Sequence, residues 1–120
     1  MYREALVSLK REGITGSEEI REMMSAFRTN PPASLGGEAI AEVRDHLEGW
    51  NGLPPSNVVQ FLTADGALVS ARPSGTEPKI KFYFSVRADW AEGTTHAESW
   101  QQLGVRIAAL GRDLGVEVSV

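Results

Sequence analysis

Residues Val58 to Arg87 read VVQFLTADGALVSARPSGTEPKIKFYFSVR, three apolar runs separated by two clusters of turn formers. Val58-Val59-Gln60-Phe61-Leu62 is rich in residues that suit a pleated, half-buried surface. Asp65-Gly66 is a short-range hairpin signal, and Ala67 to Ala71 returns as the second arm. From Lys79 the alternation is clean. Ile80, Phe82, Phe84 and Val86 fall on one side and Lys81, Tyr83, Ser85 and Arg87 on the other, the pattern of an antiparallel strand with one face in the core. Three strands therefore meander, and Arg72-Pro73-Ser74-Gly75-Thr76-Glu77-Pro78 joins the last two.

Working outward, Tyr2 to Leu9 alternates with Ala5, Val7 and Leu9 on one side, which suits a further strand. Gly13 and Gly16 bracket a turn, and Thr15 stands three residues before Glu18 in capping-box spacing, which predicts a helix over residues 17–28. Ile20, Met23, Met24 and Phe27 give it one apolar, core-facing stripe, and Asn30-Pro31-Pro32 stops it. After a turn region from Pro32 to Gly37, Ala39 to Leu47 carries Ile40 and Val43 among charges and is read as a strand, with helix as the rival assignment. Thr95 and Glu98 repeat the capping-box spacing ahead of a stripe of Trp100, Leu103, Ile107, Leu110 and Leu114, so a helix of about fifteen to twenty residues follows. The tail from Val116 to Val120 alternates but is too short to place. Strand, helix, four strands, helix implies an α+β domain with both helices on one face of an antiparallel sheet.

The bulk composition sets limits. The 120 residues are 42% apolar, enough for one core and too few for two ordinary domains. A net charge of -4 argues against a nucleic-acid-binding surface, which rests on a dominant basic face. The absence of cysteine removes disulfides and thiolate metal sites, and with no apolar leader the expected compartment is the cytoplasm. No apolar run approaches the roughly 20 residues that span a bilayer, so no membrane partner is expected. His46 and His96 have no metal-ligand spacing and read as surface or structural residues. Trp50 and Trp90 suit either the core or a contact with further domains, whereas Trp100 is assigned to the core.

The loop after Arg72 holds an unusual concentration of donors. Pro73 and Pro78 stiffen it, and Gly75 is free to take φ > 0 so that successive amides turn to one point as an anion nest. Ser74 and Thr76 add hydroxyls. Arg72 adds a planar fork for bidentate phosphate contact, and Lys81, in preference to Lys79 of the same parity, is placed to aim an ammonium at the same anion. A carboxylate beside bound phosphate is unfavourable, so Glu77 is expected to turn away into a structural ion pair. Ser-Gly between prolines is also an ordinary turn, and composition alone does not choose between turn and clamp.

RPSGTEPKIKFYF resembles the phosphate-binding signature of the C-terminal domain of the α-D-phosphohexomutases, the phosphoglucomutase and phosphomannomutase family. Tyr2 to Leu9 with its following glycine turn, Arg28-Thr29-Asn30-Pro31-Pro32, Leu35-Gly36-Gly37 and Leu53-Pro54-Pro55-Ser56-Asn57-Val58-Val59-Gln60-Phe61 resemble successive blocks of the same domain, so the likeness runs over about residues 2–110. It implies a TATA-binding-protein-like fold and a single domain that is a piece of a larger enzyme, with Arg72, Ser74, Gly75 and Thr76 holding the phosphate not being transferred and Lys81 assisting. Relatives often carry arginine at the Lys81 position, and a lysine keeps the charge without the fork.

For the parent enzyme the resemblance implies transfer of phosphate between C1 and C6 of a hexose through a hexose 1,6-bisphosphate, with a phosphoserine and Mg²⁺. The Ser-His-Asn-Pro nucleophile loop, the Asp-Gly-Asp metal loop and the Gly-Glu-x-Ser sugar loop of the family are absent from this sequence. The domain is therefore expected to bind no cofactor itself, to hold no catalytic residue and to be inactive alone. Its expected partners are a hexose phosphate and the upstream domains. The alternative is a stand-alone phosphate- or phosphosugar-binding module; RNA binding is disfavoured by net acidity and by the lack of aromatics among basic residues. The Lys-Ile-Lys-Phe-Tyr continuation resembles gluco- and mannomutases more than the glucosamine branch.

Overall fold

A computed structural model of the chain describes residues 1–89 and 93–119. Its elements are β1 (Tyr2–Lys10), α1 (Gly13–Thr29), β2 (Ser34–Leu35), β3 (Glu38–Asp45), β4 (Val59–Thr63), β5 (Leu68–Pro73), β6 (Lys79–Arg87) and α2 (His96–Asp113). The strands form one antiparallel sheet in the order β1-β6-β5-β4-β3-β2. The α+β architecture is the one expected, with one addition. Ser34 and Leu35 pair with Ala39 and Glu38 across a two-residue turn whose glycines, Gly36 and Gly37, both have positive φ, the conformation such tight hairpins require.

Both helices cover the same face. Val59, Phe61, Val69, Ala71, Ile80, Phe82, Phe84 and Val86 point from the central strands into a core closed by Ile20 and Met24 of α1 and by Leu103, Ile107 and Leu110 of α2. Phe27 meets the rings of Phe61 and Phe82 edge to face, with centroids 5.5 and 6.2 Å away, the arrangement favoured by aromatic quadrupoles. The opposite face carries Leu6, Ser70, Tyr83 and Lys81 towards solvent. A bulge between Ile40 and Glu42 lets Ile40 and Val43 both pack against the core although they lie three apart. That spacing is what made β3 resemble a helix.

Two expectations are corrected, and the unplaced tail finds its position. The first helix begins at Gly13, so Thr15 lies inside it and caps nothing; Glu12 is the N-cap and makes no side-chain cap bond. The early start is sterically set, because a Cβ on Gly16 would come within 2.7 Å of the Arg11 carbonyl carbon, and only glycine lets the first turn close onto the end of β1. Trp100 is not core. It is 43% exposed, with the Arg3 guanidinium 4.4 Å from its ring centroid and Arg3 donating to its carbonyl at 2.7 Å. The tail to Ser119 forms no strand; instead Val116 is buried, and Val118 packs on the core. Trp90 and Val120 lie outside the described residues. The Thr95–Glu98 capping box is present in both of its hydrogen bonds.

Candidate functional site

Sheet register brings together what the loop alone could not. Arg72 on β5 stands opposite Lys81 on β6, Lys81 stands opposite Ser8 on β1, and Lys79 stands opposite Lys10. All four cations share the face turned away from the helices. Like charges placed directly across a sheet oppose folding, so two such pairs side by side concentrate uncompensated positive charge at one corner. Arg72, Pro73, Ser74, Gly75, Lys79, Lys81 and Tyr83 line a hollow of about 330 Å³ there, and no carboxylate is among them. Arg72, Lys79 and Lys81 make no ion pair among the described residues.

The loop itself is fixed by its own backbone. The Ser74 amide donates to the Lys79 carbonyl at 2.8 Å, the Lys79 amide to Glu77 at 2.7 Å, and the Arg11 amide to Pro78 at 2.8 Å. Ser74 Oγ accepts from the Thr76 and Glu77 amides at 3.4 and 3.2 Å. This corrects the expected nest. The amides of residues 74, 76 and 77 are already committed, and the φ of Gly75 lies outside the left-handed region. What remains for a ligand is the Gly75 N–H, the Ser74 hydroxyl proton and the cations. A Cβ built on Gly75 meets nothing within 4 Å, so neither local dihedral nor packing in this chain demands glycine.

Of the five residues expected to bind phosphate, Arg72, Ser74, Gly75 and Lys81 line this hollow together. Thr76 does not. It lines a cleft of about 620 Å³ on the helix side of the loop, with Ser17, Arg21, Arg28 and Glu77, and Pro73, Ser74 and Gly75 line that cleft as well as the hollow. Glu77 is also corrected: it is exposed and makes no ion pair among the described residues, its amide and carbonyl being what hold it. Sequence alone missed Tyr83, which looks like one more outward residue until the hollow is seen; Lys10, opposite Lys79 on the same face, does not line it.

The remaining polar groups support the frame. Arg28 donates to Asp45 Oδ1 at 3.0 Å and to Asn57 Oδ1 at 2.7 Å, joining the end of α1 to the β3–β4 connection. His46 is buried and its Nε2 is 2.8 Å from Gln60 Oε1, while Gln60 donates onward to Ser70 Oγ at 2.9 Å. His96 stacks on Trp100. Among the described residues no group of three or more His, Asp or Glu gathers into a metal site. No helix among them is long and apolar enough to cross a membrane.

A model of the phosphoglucomutase/phosphomannomutase C-terminal domain matches residues 17–99, well over half of the chain. The chain belongs to the phosphoglucomutase/phosphomannomutase C-terminal domain family. A probable phosphomannomutase of Haemophilus influenzae is 36% identical over 94 residues, which are 69% of this chain and 19% of that protein. Phosphoglucomutases of Staphylococcus aureus strains MRSA252 and COL are 34% and 35% identical over 97 residues, 72% of this chain and 17% of each relative. The chain thus spans under a fifth of the length of these relatives. The family match covers α1 from Ser17 onward, the meander and the whole of the 72–78 loop.

Proposed function

We propose that this chain is the substrate-phosphate-binding domain of a phosphohexomutase. The carrying observation is the hollow in which Arg72, Lys79 and Lys81 converge with Ser74 and Gly75 and no carboxylate, on a loop inside the region that matches the family. In this proposal the cations and the Ser74 hydroxyl grip the phosphate that is not being transferred, while other domains of the parent enzyme move the second phosphate between C1 and C6 of the hexose. The hexose 1,6-bisphosphate formed on the way must present either phosphate to the grip. A site built of convergent positive charge suits that task, since it recognises phosphate without reading the rest of the ligand.

Phosphoryl transfer depends on positioning and electrostatics, so binding energy spent on a remote phosphate supports the chemical step. The phosphoserine and Mg²⁺ of the parent reaction belong to its other domains. A chain without cysteine that handles a phosphorylated sugar fits the cytoplasm.

Arg72→Ala in the full-length enzyme tests the proposal. A charge-assisted bidentate contact is worth about 1.5–3 kcal/mol, which predicts a fall in kcat/KM of roughly 10- to 150-fold, with Arg72→Lys intermediate because it keeps charge without the fork. Unchanged steady-state kinetics in Arg72→Ala would remove Arg72 from the site and the proposal with it.

A further inference from the structure

Taking the Arg72 hollow as the phosphate grip proposed above, we infer that the open sheet face beside it is a sugar subsite in which Tyr83 carries the hexose ring. Tyr83 is shared by two hollows. One is the cationic hollow; the other, about 450 Å³, is lined by Glu4, Leu6, Leu68, Ser70 and Ser85 as well. The register orders these residues in rows across β1, β6 and β5. Ser8, Lys81 and Arg72 form the first, Leu6, Tyr83 and Ser70 the second, and Glu4, Ser85 and Leu68 the third.

The chemistry therefore changes along the strands in one direction. A cationic row is followed by an aromatic row with a hydroxyl, and then by a hydroxyl with a carboxylate. Successive rows on one face lie about 7 Å apart, a span suited to a ligand with a phosphate at one end and a hexose ring beside it. A pyranose offers C–H groups on its face and hydroxyls around its edge. Tyr83, 41% exposed with Leu6 55% exposed alongside it, supplies an apolar surface for the first, and Ser70, Ser85 and Glu4 supply partners for the second. Glu4 stands two rows from Arg72 and Lys81. A carboxylate there is out of place for a phosphate but suits a sugar hydroxyl that donates to it.

The test is an NMR titration of the chain with inorganic phosphate, glucose 6-phosphate, glucose 1-phosphate and glucose, on the wild type, Tyr83→Ser and Tyr83→Phe. Amides from Arg72 to Gly75 should shift with all three phosphate compounds, and those of Leu6, Ser70, Tyr83 and Ser85 only with the two sugar phosphates. Tyr83→Ser should weaken sugar phosphates about three- to tenfold more than it weakens inorganic phosphate, with Tyr83→Phe keeping close to the wild-type ratio. Equal sugar-phosphate affinity in Tyr83→Ser and wild type, with the Arg72 to Gly75 shifts intact, overturns the sugar subsite alone. Failure of those loop amides to respond to any phosphate compound overturns the phosphate grip and the subsite together.

Discussion

Arg28 illustrates how one side chain can line a cleft while its guanidinium is engaged in holding the fold. It lines the helix-side cleft, yet its guanidinium is occupied by Asp45 and Asn57. Asp45 feels opposing influences. Burial alone would raise its pKa, but the Leu47 amide, the hydrogen bond and charge of Arg28 and the nearby His46 outweigh it and hold the carboxyl below its ordinary value of 3.8. A carboxyl with a lowered folded pKa contributes stability that is present above the unfolded value and disappears as pH falls through the folded one. The Asp45 side chain is 44% exposed, so solvent screening keeps the effect of Asp45→Asn below about 1 kcal/mol at pH 7. Urea midpoints should show that difference shrinking as pH drops from about 4 towards 2; a difference of the same size at both ends would assign it to something other than ionisation. Trp100 teaches a different lesson at this scale. Its place on an apolar stripe is visible in sequence, but Arg3, which gives it a solvent-side partner, comes from the other end of the chain.

At the scale of elements, two threonines in the same capping-box spacing have different fates. Thr95 accepts from the Glu98 amide at 3.1 Å and Glu98 returns the bond to Thr95 N at 3.1 Å, whereas Thr15 sits within α1. Thr95→Ala should therefore cost about 1 kcal/mol and Thr15→Ala less than about 0.5 kcal/mol, measured as paired thermal or urea unfolding. A Thr15 penalty as large as that of Thr95 would mean that α1 starts where the sequence pattern put it. β4, β5 and β6 were legible because their alternation is local and their burial one-sided. Thr15 misled because the start of α1 is decided by the approach of Gly16 to Arg11, and β3 was ambiguous because its bulge breaks the period of two. The short β2 carries too few residues to show any period.

Across the whole molecule, one aromatic layer couples sheet and helix. Phe82 is fully buried beneath Phe27, with Phe84 stacked beside it, so Phe82→Ala should cost about 3–5 kcal/mol, a large part of the 5 to 15 kcal/mol or so that ordinary domains possess. Denaturant midpoints at constant slope would show it; a loss below about 1 kcal/mol would mean that the core is not packed as described. The candidate site divides along the same line between near and far. Arg72, Ser74, Gly75 and Lys81 were found together because they lie within ten residues of one another. Lys10 reaches Lys79 only through tertiary pairing, and it stands outside the hollow.

That pairing also orders events in time. Strand β1 has one neighbour in the sheet, β6, so Tyr2 must wait for Arg87 and Lys10 for Lys79. The turn-linked arms β4 and β5 can zip as soon as both exist, but joining β1 closes a long loop of chain before any contact rewards it. Arg72, Lys79 and Lys81 meet on the β5–β6 hairpin alone, so their mutual repulsion is already in place before β1 docks, and Lys10 adds to it only at that later step.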